Sequence, residues 1–395
     1  MEYKKLKELC EISGGYAFKS SNFKNTGIPI IRIGDINNKK VNITDNTVYV
    51  DENIEEYKRF IVKKGDILIA LSGATTGKFG VYNNDEDSLL NQRVAKLIPQ
   101  KNILNKYLYH YMNVLQDTIY NKALGCAQPN ISPSEIGELL VYLPNIEEQN
   151  KIVEVLDKAQ ELIDKRKEQI EALDQLVKSK FIEMFGTPNE KRFIGKILPE
   201  IIENDKYALK RGPFGGSLKK DDFIRDGYLV YEQRHAIHND FEYAKYFISK
   251  EKYTEMIMFK VKPKDLLVSC SGVTLGRISE VPEGAKEGII NQALLKITLN
   301  QDIMNNIYFI QLFRNEQIQD KLFGFSRGSG IPNFPSMNEV KSMEFLCPPI
   351  ELQNKFADFV KQVDKLKVDI EKSLKELEDN FNSLMQKAFN GYLFN

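Results

Sequence analysis

The stretch Ser72-Gly73-Ala74-Thr75-Thr76-Gly77-Lys78 places two glycines, three hydroxyls and one cation within seven residues. A turn of that composition can offer backbone N–H groups, hydroxyls and a positive charge to a DNA phosphate or a base edge. It is not a nucleotide-binding phosphate loop, which needs four residues between its glycines and Ser or Thr after the Lys. Here three residues separate Gly73 from Gly77, and Phe79 follows Lys78. ATP binding is therefore rejected. The same residues would also suit a plain glycine-rich turn between strands, and both readings stay open on sequence alone.

Other chemical signals are weaker. Cys347-Pro348-Pro349-Ile350 has the prolines of the Asp/Asn-Pro-Pro-Tyr/Phe motif of adenine methyltransferases but not the amide or carboxylate that holds the amine, nor the aromatic that stacks. It reads as a helix start. His235 and His238 lie three residues apart without a set of Cys or carboxylate ligands around them, so no metal site is expected. His235 is kept as a loop residue that could touch DNA. No Pro-Asp pair occurs, which argues against the usual metal motif of restriction nucleases, and no triad signature is recognised. Nothing in the chain looks catalytic.

The turn occurs twice. Residues 65–78 line up with 264–277 at an offset of 199, matching Asp66 with Asp265, Ser72 with Ser271, Gly73 with Gly272, Thr75 with Thr274, Gly77 with Gly276 and Lys78 with Arg277. Further along, Asn91-Gln92 returns as Asn291-Gln292 and Pro129-Asn130 as Pro332-Asn333. Ile146-Glu147-Glu148-Gln149-Asn150-Lys151 returns as Ile350-Glu351-Leu352-Gln353-Asn354-Lys355. Upstream, Phe23 and Gly27 answer Phe223 and Gly227. The offset drifts only from 199 to 204, so nearly the whole chain is an internal repeat. Between the anchors the copies diverge, as in Ile33-Gly34-Asp35-Ile36 against Gln233-Arg234-His235-Ala236. A shared scaffold with divergent loops is what two recognition units for different targets need.

The candidate DNA contacts are Lys19, Arg32, Ser72, Thr75, Lys78, Gln92 and Arg93 in the first copy. In the second they are Arg211, Arg234, His235, Ser271, Thr274, Arg277, Gln292 and Arg327. Gln92 and Gln292 are the candidate adenine readers, because an amide can bond the adenine edge bidentately.

These residues must be positioned by globules and helices. Short β-rich runs at 28–33, 66–71 and 266–270 alternate with Gly, Asn and Asp clusters, while 106–124 and 304–323 look helical, so each globule is α+β. After Pro144, Asn145 is a plausible N-cap with Glu148 three residues on, and the helix should stop at Phe185-Gly186-Thr187-Pro188. Pro348-Pro349 and Asn390-Gly391 bracket its counterpart. Steps of four and three give the seam Ile152, Leu156, Ala159, Ile163, Arg166, Ile170, Leu173, Val177, Lys180, Met184 in the first helix. The second gives Phe356, Val360, Val363, Lys367, Ile370, Leu374, Leu377, Phe381, Leu384, Ala388. Arg166 corresponds to Ile370 and Ile163 to Lys367, so the helices are tuned as unlike partners that pair within the chain as a coiled coil. A seam of about 33 residues makes a rod of roughly 50 Å, long enough to set the distance between two DNA contacts. A second stripe, Val155, Leu162 and Leu176 with Phe359 and Leu366, widens the apolar face. It would either receive helices of a partner protein or pack on the chain's own globules.

The expected domains are a first recognition domain at 1–145, a spacer helix at 146–186, a second recognition domain at 187–349 and a second spacer helix at 350–395. Across 395 residues the net charge is zero, at first sight against nucleic acid. The charge is unevenly spread: 18 bases against 16 acids in 1–146, 7 against 11 in 147–190, 23 against 20 in 191–350 and 7 against 8 in 351–395. The globules are mildly basic and the helices acidic, which permits DNA binding. The four cysteines, Cys10, Cys126, Cys270 and Cys347, are far apart and read as buried small hydrophobes rather than zinc ligands or disulfides. No charged-then-apolar leader opens the sequence and no apolar run approaches the ~18 residues of a membrane span, so no membrane association and a cytoplasmic location are expected.

The arrangement resembles the specificity subunits of type I restriction-modification systems, on the Gly65-Asp66-Ile67-Leu68-Ile69, Ser72-Gly73 and Leu143-Pro144 to Ile152 stretches and on their paired occurrence across the full length. The resemblance implies two target recognition domains joined by two antiparallel spacer helices in a pseudo-twofold repeat, reading the two halves of a split, asymmetric double-stranded DNA target. It also implies two methyltransferase subunits gripping the helices, restriction subunits joining to cleave, and S-adenosylmethionine and ATP bound by those partners, with no cofactor in this chain. A stand-alone modifying enzyme with degenerate motifs and a coiled-coil scaffold without DNA binding are the competing expectations.

Overall fold

The strand Ile67–Ala70 is apolar at every position because both of its faces are covered. In the computed structural model, which describes residues 2–37, 39–51, 54–124, 129–187, 190, 192–324 and 334–394, Ile67 and Ile69 point into one core and Leu68 and Ala70 into another. The first core is closed by the helix Asn105–Ala123 through Tyr107, Leu108, Tyr111 and Leu115. The second is closed by a smaller sheet carrying Ile31, Val62 and Leu90. Strand Leu266–Ser269 repeats this, with Leu266 and Val268 on one side and Leu267 on the other. The α+β fold class expected for each copy is what the chain adopts.

The copies share their central strand pairings, although the first adds a hairpin, Ile36–Asn37 with Lys39–Val41, at the edge of its larger sheet. In the first, Ile67–Ala70 lies between Val94–Pro99 and Phe79–Tyr82, antiparallel to both, while Ile28–Ile31 pairs in parallel with Ser88–Leu90. In the second, Leu266–Ser269 lies antiparallel between Leu294–Ile297 and Ile278–Glu280, and Tyr228–Tyr231 pairs in parallel with Gly288–Ile290. A lysine ties the layers together at the same place in each. Lys96 Nζ donates to the Ile61 carbonyl at 2.6 Å beside Asp66, and Lys296 Nζ to the Lys260 carbonyl at 2.7 Å beside Asp265. Burial in the second copy pushes the Asp265 carboxyl above its usual range and the Lys296 ammonium below its own.

One element departs from expectation. The single helix read at 304–323 is two, Asn306–Arg314 and Glu316–Phe323. Asn315 between them is extended and accepts the Gln317 N–H at 3.0 Å, so a side chain well suited to N-capping breaks the ladder and starts a new helix.

The long helices run over Ile146–Phe185 and Ile350–Phe389, 40 residues each. Asn145 Oδ1 accepts the Glu148 N–H at 2.9 Å as expected of the cap, and Gly186 and Gly391, both left-handed, terminate them. The chain divides into two compact units, Met1–Glu168 with Glu371–Asn395, and Gln169–Ile370, so each unit takes part of each helix. In the first unit Ile152, Leu156 and Ile163 share a core with Phe381, Ala388 and Phe389, and Lys167 pairs with Glu378 at 2.9 Å. In the second, Phe181 and Phe185 pack edge-on against Phe356, and Lys367 pairs with Asp174 at 2.8 Å. In both, an early part of one helix meets a late part of the other, so the helices run antiparallel.

Near the end of the first helix the most buried stripe passes through Phe181 and Phe185, with Met184 of the heptad reading packed half-buried beside them and Lys180 outside the core. A helix of 3.6 residues per turn drifts by about 20° per heptad against a 3.5-residue pattern, which carries the next residue along into the core and leaves Lys180 to pair with Glu183. Cys10 and Cys270 are buried as expected, Cys347 is only half-buried, and Cys126 lies outside the described residues. Among the described residues no helix is long and apolar enough to cross a membrane.

Candidate nucleic-acid interface

The repeated turn follows directly on the central strand. In the first unit it forms a 3₁₀ turn, Gly73–Thr75, and buried Thr76 anchors it by donating its hydroxyl to the carbonyls of Gly73 at 2.8 Å and Pro129 at 3.1 Å. The Gly73 N–H also reaches the Pro129 carbonyl, at 2.9 Å. The neighbouring Asn91 turn is fixed to the same end of the sheet, because the Leu71 N–H donates to the Arg93 carbonyl and the Asn91 N–H to the Ile31 carbonyl. Tyr16 closes the group, its carbonyl accepting the Gln92 N–H at 2.9 Å. Ser72, Thr75, Lys78, Gln92, Arg93 and Arg32 are thereby gathered where ends of the two sheets meet, with exposed Lys19 three residues beyond Tyr16.

Lys19, Lys78 and Arg93 are exposed and have no carboxylate partner among the described residues. Arg32 is held instead: it stacks over Phe23 and donates to the Asn46 carbonyl at 2.7 Å, leaving Nε buried without a partner. Beneath it Asp35 accepts the Arg32 N–H and the Thr47 hydroxyl, and burial pushes its carboxyl above the usual range. Ser72 Oγ is also buried and unpartnered.

The second unit assembles the same end differently. The Cys270 N–H donates to the Ala293 carbonyl and the Asn291 N–H to the Tyr231 carbonyl, which places Ser271, Thr274, Arg277 and Gln292 as their counterparts are placed. Gly212 lies so close to Asn291 that a Cβ would sit 1.8 Å from its carbonyl oxygen, and Gly15 matches it at 2.1 Å from that of Asn91. Arg211 stacks on both Phe214 and Phe334, 5.2 Å from each ring, with Nε buried and unpartnered. Arg234 stacks over Tyr243 and pairs with Asp240 at 3.2 Å. His235 is fully buried: Nδ1 accepts the Glu232 N–H at 2.9 Å and Nε2 donates to the Tyr243 carbonyl at 2.9 Å. It builds the loop from inside. Arg327 lies outside the described residues.

Sequence reading missed Gln233. It opens the short helix Gln233–His238 and its amide bonds the Ser271 hydroxyl. The position corresponds to Ile33, whose methyl lies against the Gly73 turn. An amide in one unit and an aliphatic side chain in the other explain why Ser271 is partnered and Ser72 is not.

The stripe on the long helices divides. Val155 is half-buried and Phe359 is half-buried against its own unit's core, whereas Leu162, Leu176 and Leu366 are 51%, 47% and 55% exposed. Among the described residues no three His, Cys, Asp or Glu side chains converge as metal ligands would.

A family model for the type I restriction modification DNA specificity domain matches residues 1–173 and 214–379. The type I restriction enzyme EcoBI specificity subunit of Escherichia coli is 25% identical over 416 residues, covering 98% of this chain and 84% of that protein. The MjaIX specificity subunit of Methanocaldococcus jannaschii is 22% identical over 417 residues, covering 99% and 93%. The crystal structure of the S subunit of a type I restriction-modification system from M. genitalium superposes with a TM-score of 0.54 over 98% of this chain and 96% of that one, at 15% identity.

Proposed function

The chain belongs to the type I restriction-modification DNA specificity family, whose subunits are not themselves catalytic, and from that premise we propose that its two units read the two halves of a bipartite, asymmetric DNA target and direct adenine methylation or cleavage by partner subunits. The observation that carries this reading is the repeated sheet end. The backbone scaffold is held alike in both units, while the side chains presented on it differ, Ile33 against Gln233 and Arg32 against Glu232, with Arg211 standing where the first unit has Gly14. Two rigid frames with different faces suit two different half-sites.

Exposed cations without carboxylate partners among the described residues support the same end as the contact surface, Lys19, Lys78 and Arg93 in the first unit and Arg277 in the second. Phosphate contacts are assigned to Lys19, Lys78, Arg93 and Arg277, with Thr75 and Thr274 on the turns; base contacts are assigned to Gln92 and Gln292. Two methyltransferase subunits would seat helices on the stripe of Leu162, Leu176 and Leu366 and bring S-adenosylmethionine, and restriction subunits would bring ATP. The test is to express the chain with its methyltransferase and map methylated adenines across a genome. Two short, dissimilar sequences at a constant gap are expected; a single continuous site, or methylation without sequence preference, would refute the reading.

A further inference from the structure

Val273 is 99% exposed, the most exposed large apolar side chain among the described residues. It contributes nothing to a core, yet its position is tightly determined. It sits at the tip of the 3₁₀ turn Gly272–Thr274, flanked by Gly272 and Gly276 in left-handed conformations. Gly276 donates its N–H to the Ser269 carbonyl at 2.9 Å and Leu275 to the Gly272 carbonyl at 3.1 Å. From beneath, Ser269 Oγ bonds the Thr274 carbonyl and accepts the Arg277 N–H at 3.1 Å. Valine is stiff about χ1, so a rigid turn presents a rigid pair of methyls to solvent. Polar and cationic groups surround it in the chain: Ser271 with its Gln233 partner on one side, Arg277 on the other. The first unit has the same turn with Ala74 at its tip, also exposed but with a single methyl.

Resting on the DNA-recognition reading above, we infer that Val273 is a specificity-determining contact of the second unit, packing its methyls on the C5-methyl of a thymine in the major groove. The flanking cation and hydroxyls would hold phosphate while the tip enters the groove. Thymine offers the one apolar group on a base-pair edge there, and a pre-ordered apolar tip amid polar neighbours is complementary to it.

The experiment uses the full chain with its methyltransferase subunits on the mapped target, replacing each thymine in turn by uracil, which removes only the methyl. One replacement is expected to weaken wild-type binding about fourfold, the loss for one buried methyl. In Val273→Ala that replacement should lose its effect while the others keep theirs. The inference is overturned if no thymine shows this coupling, if the target contains no thymine, or if Val273→Ala weakens subunit assembly instead. Failure of the underlying reading would look different: the wild-type complex would bind the mapped target no better than a scrambled duplex.

Discussion

Gln149 Oε1 accepts the backbone N–H of Leu104 at 2.9 Å, tying the start of the first long helix to the start of the helix Asn105–Ala123. Its Nε2 donates to the carbonyls of Asn102 and Pro144. Gln353 makes the same set in the other unit, accepting the Asn305 N–H at 2.9 Å and donating to Ile303 and Pro348. Both side chains are fully buried. The most regular part of the repeated Ile-Glu-x-Gln-Asn-Lys motif is thus a clamp between spacer and globule.

Replacing either glutamine by leucine keeps the volume but strands a buried N–H and two carbonyls. A loss of about 3 kcal/mol is expected from groups left unpaired in the interior, read as a lower urea midpoint for Gln149→Leu and for Gln353→Leu. A shift below a few tenths of a kcal/mol in both variants would mean the clamp is redundant.

The glycines of the repeated turn should differ in tolerance. Gly272 has nothing within 4 Å of where a Cβ would stand, so Gly272→Ala carries only the left-handed backbone strain of about 1 kcal/mol. At Gly276 the same strain is joined by a clash, with Phe323 Cε2 2.5 Å from the Cβ position. Gly276→Ala should cost about 3 kcal/mol once overpacking is added. Thermal denaturation of the two variants side by side decides the ranking, and equal losses would contradict it.

Acid should weaken the first unit through His110. The imidazole is buried, and burial holds it below its usual range against the pull of Asp157, whose carboxylate lies 2.7 Å from Nε2; Lys39 and Lys106 add to the depression. In the unfolded chain the ring takes a proton near pH ~6.5. The unfolded state therefore binds more protons below that pH, so the contribution is complete above it and is lost as pH falls toward the lower folded value. Denaturant titrations at pH 7.5 and 5.5 should show a larger acid loss for wild type than for His110→Asn. Identical losses would place the acid sensitivity elsewhere.

What could be read in advance was whatever the backbone imposes on neighbours in sequence. Asp66 and Asp265 each accept the N–H three residues back, from Lys63 and Lys262, so both recur beside their turns. The Asn145 cap and the terminal glycines are local in the same way. The role of Gln149 was not legible, because its partners lie 45 and 47 residues away. Nor was the pairing of Gln233 with Ser271, 38 residues apart and absent from the first copy. His235 looked like a polar loop residue, and only the packing of Tyr231, Phe241 and Tyr243 around it sets its burial. The proposed reading surface is thus the least predictable part, because both its scaffold and its faces are held by contacts between residues far apart in the chain, and the contacts of its faces differ between copies.

The free and the paired cations of that surface should behave differently in salt. Arg277 and Lys78 occupy the same place after the turn, both exposed and without a carboxylate partner among the described residues, whereas Arg234 is already paired with Asp240. A free cation that meets a phosphate releases a counterion, adding about 0.9 to the slope of log affinity against log salt. A cation already neutralised by an acid must first give up that pair, so its net contribution is smaller. In the complex with its methyltransferase, Lys78→Gln and Arg277→Gln should each flatten the slope by about 0.9, and together by about twice that. Arg234→Gln should flatten it by less. Filter binding from 50 to 200 mM salt measures all three, and a slope unchanged by Lys78→Gln and Arg277→Gln would remove the repeated turn from the phosphate contacts.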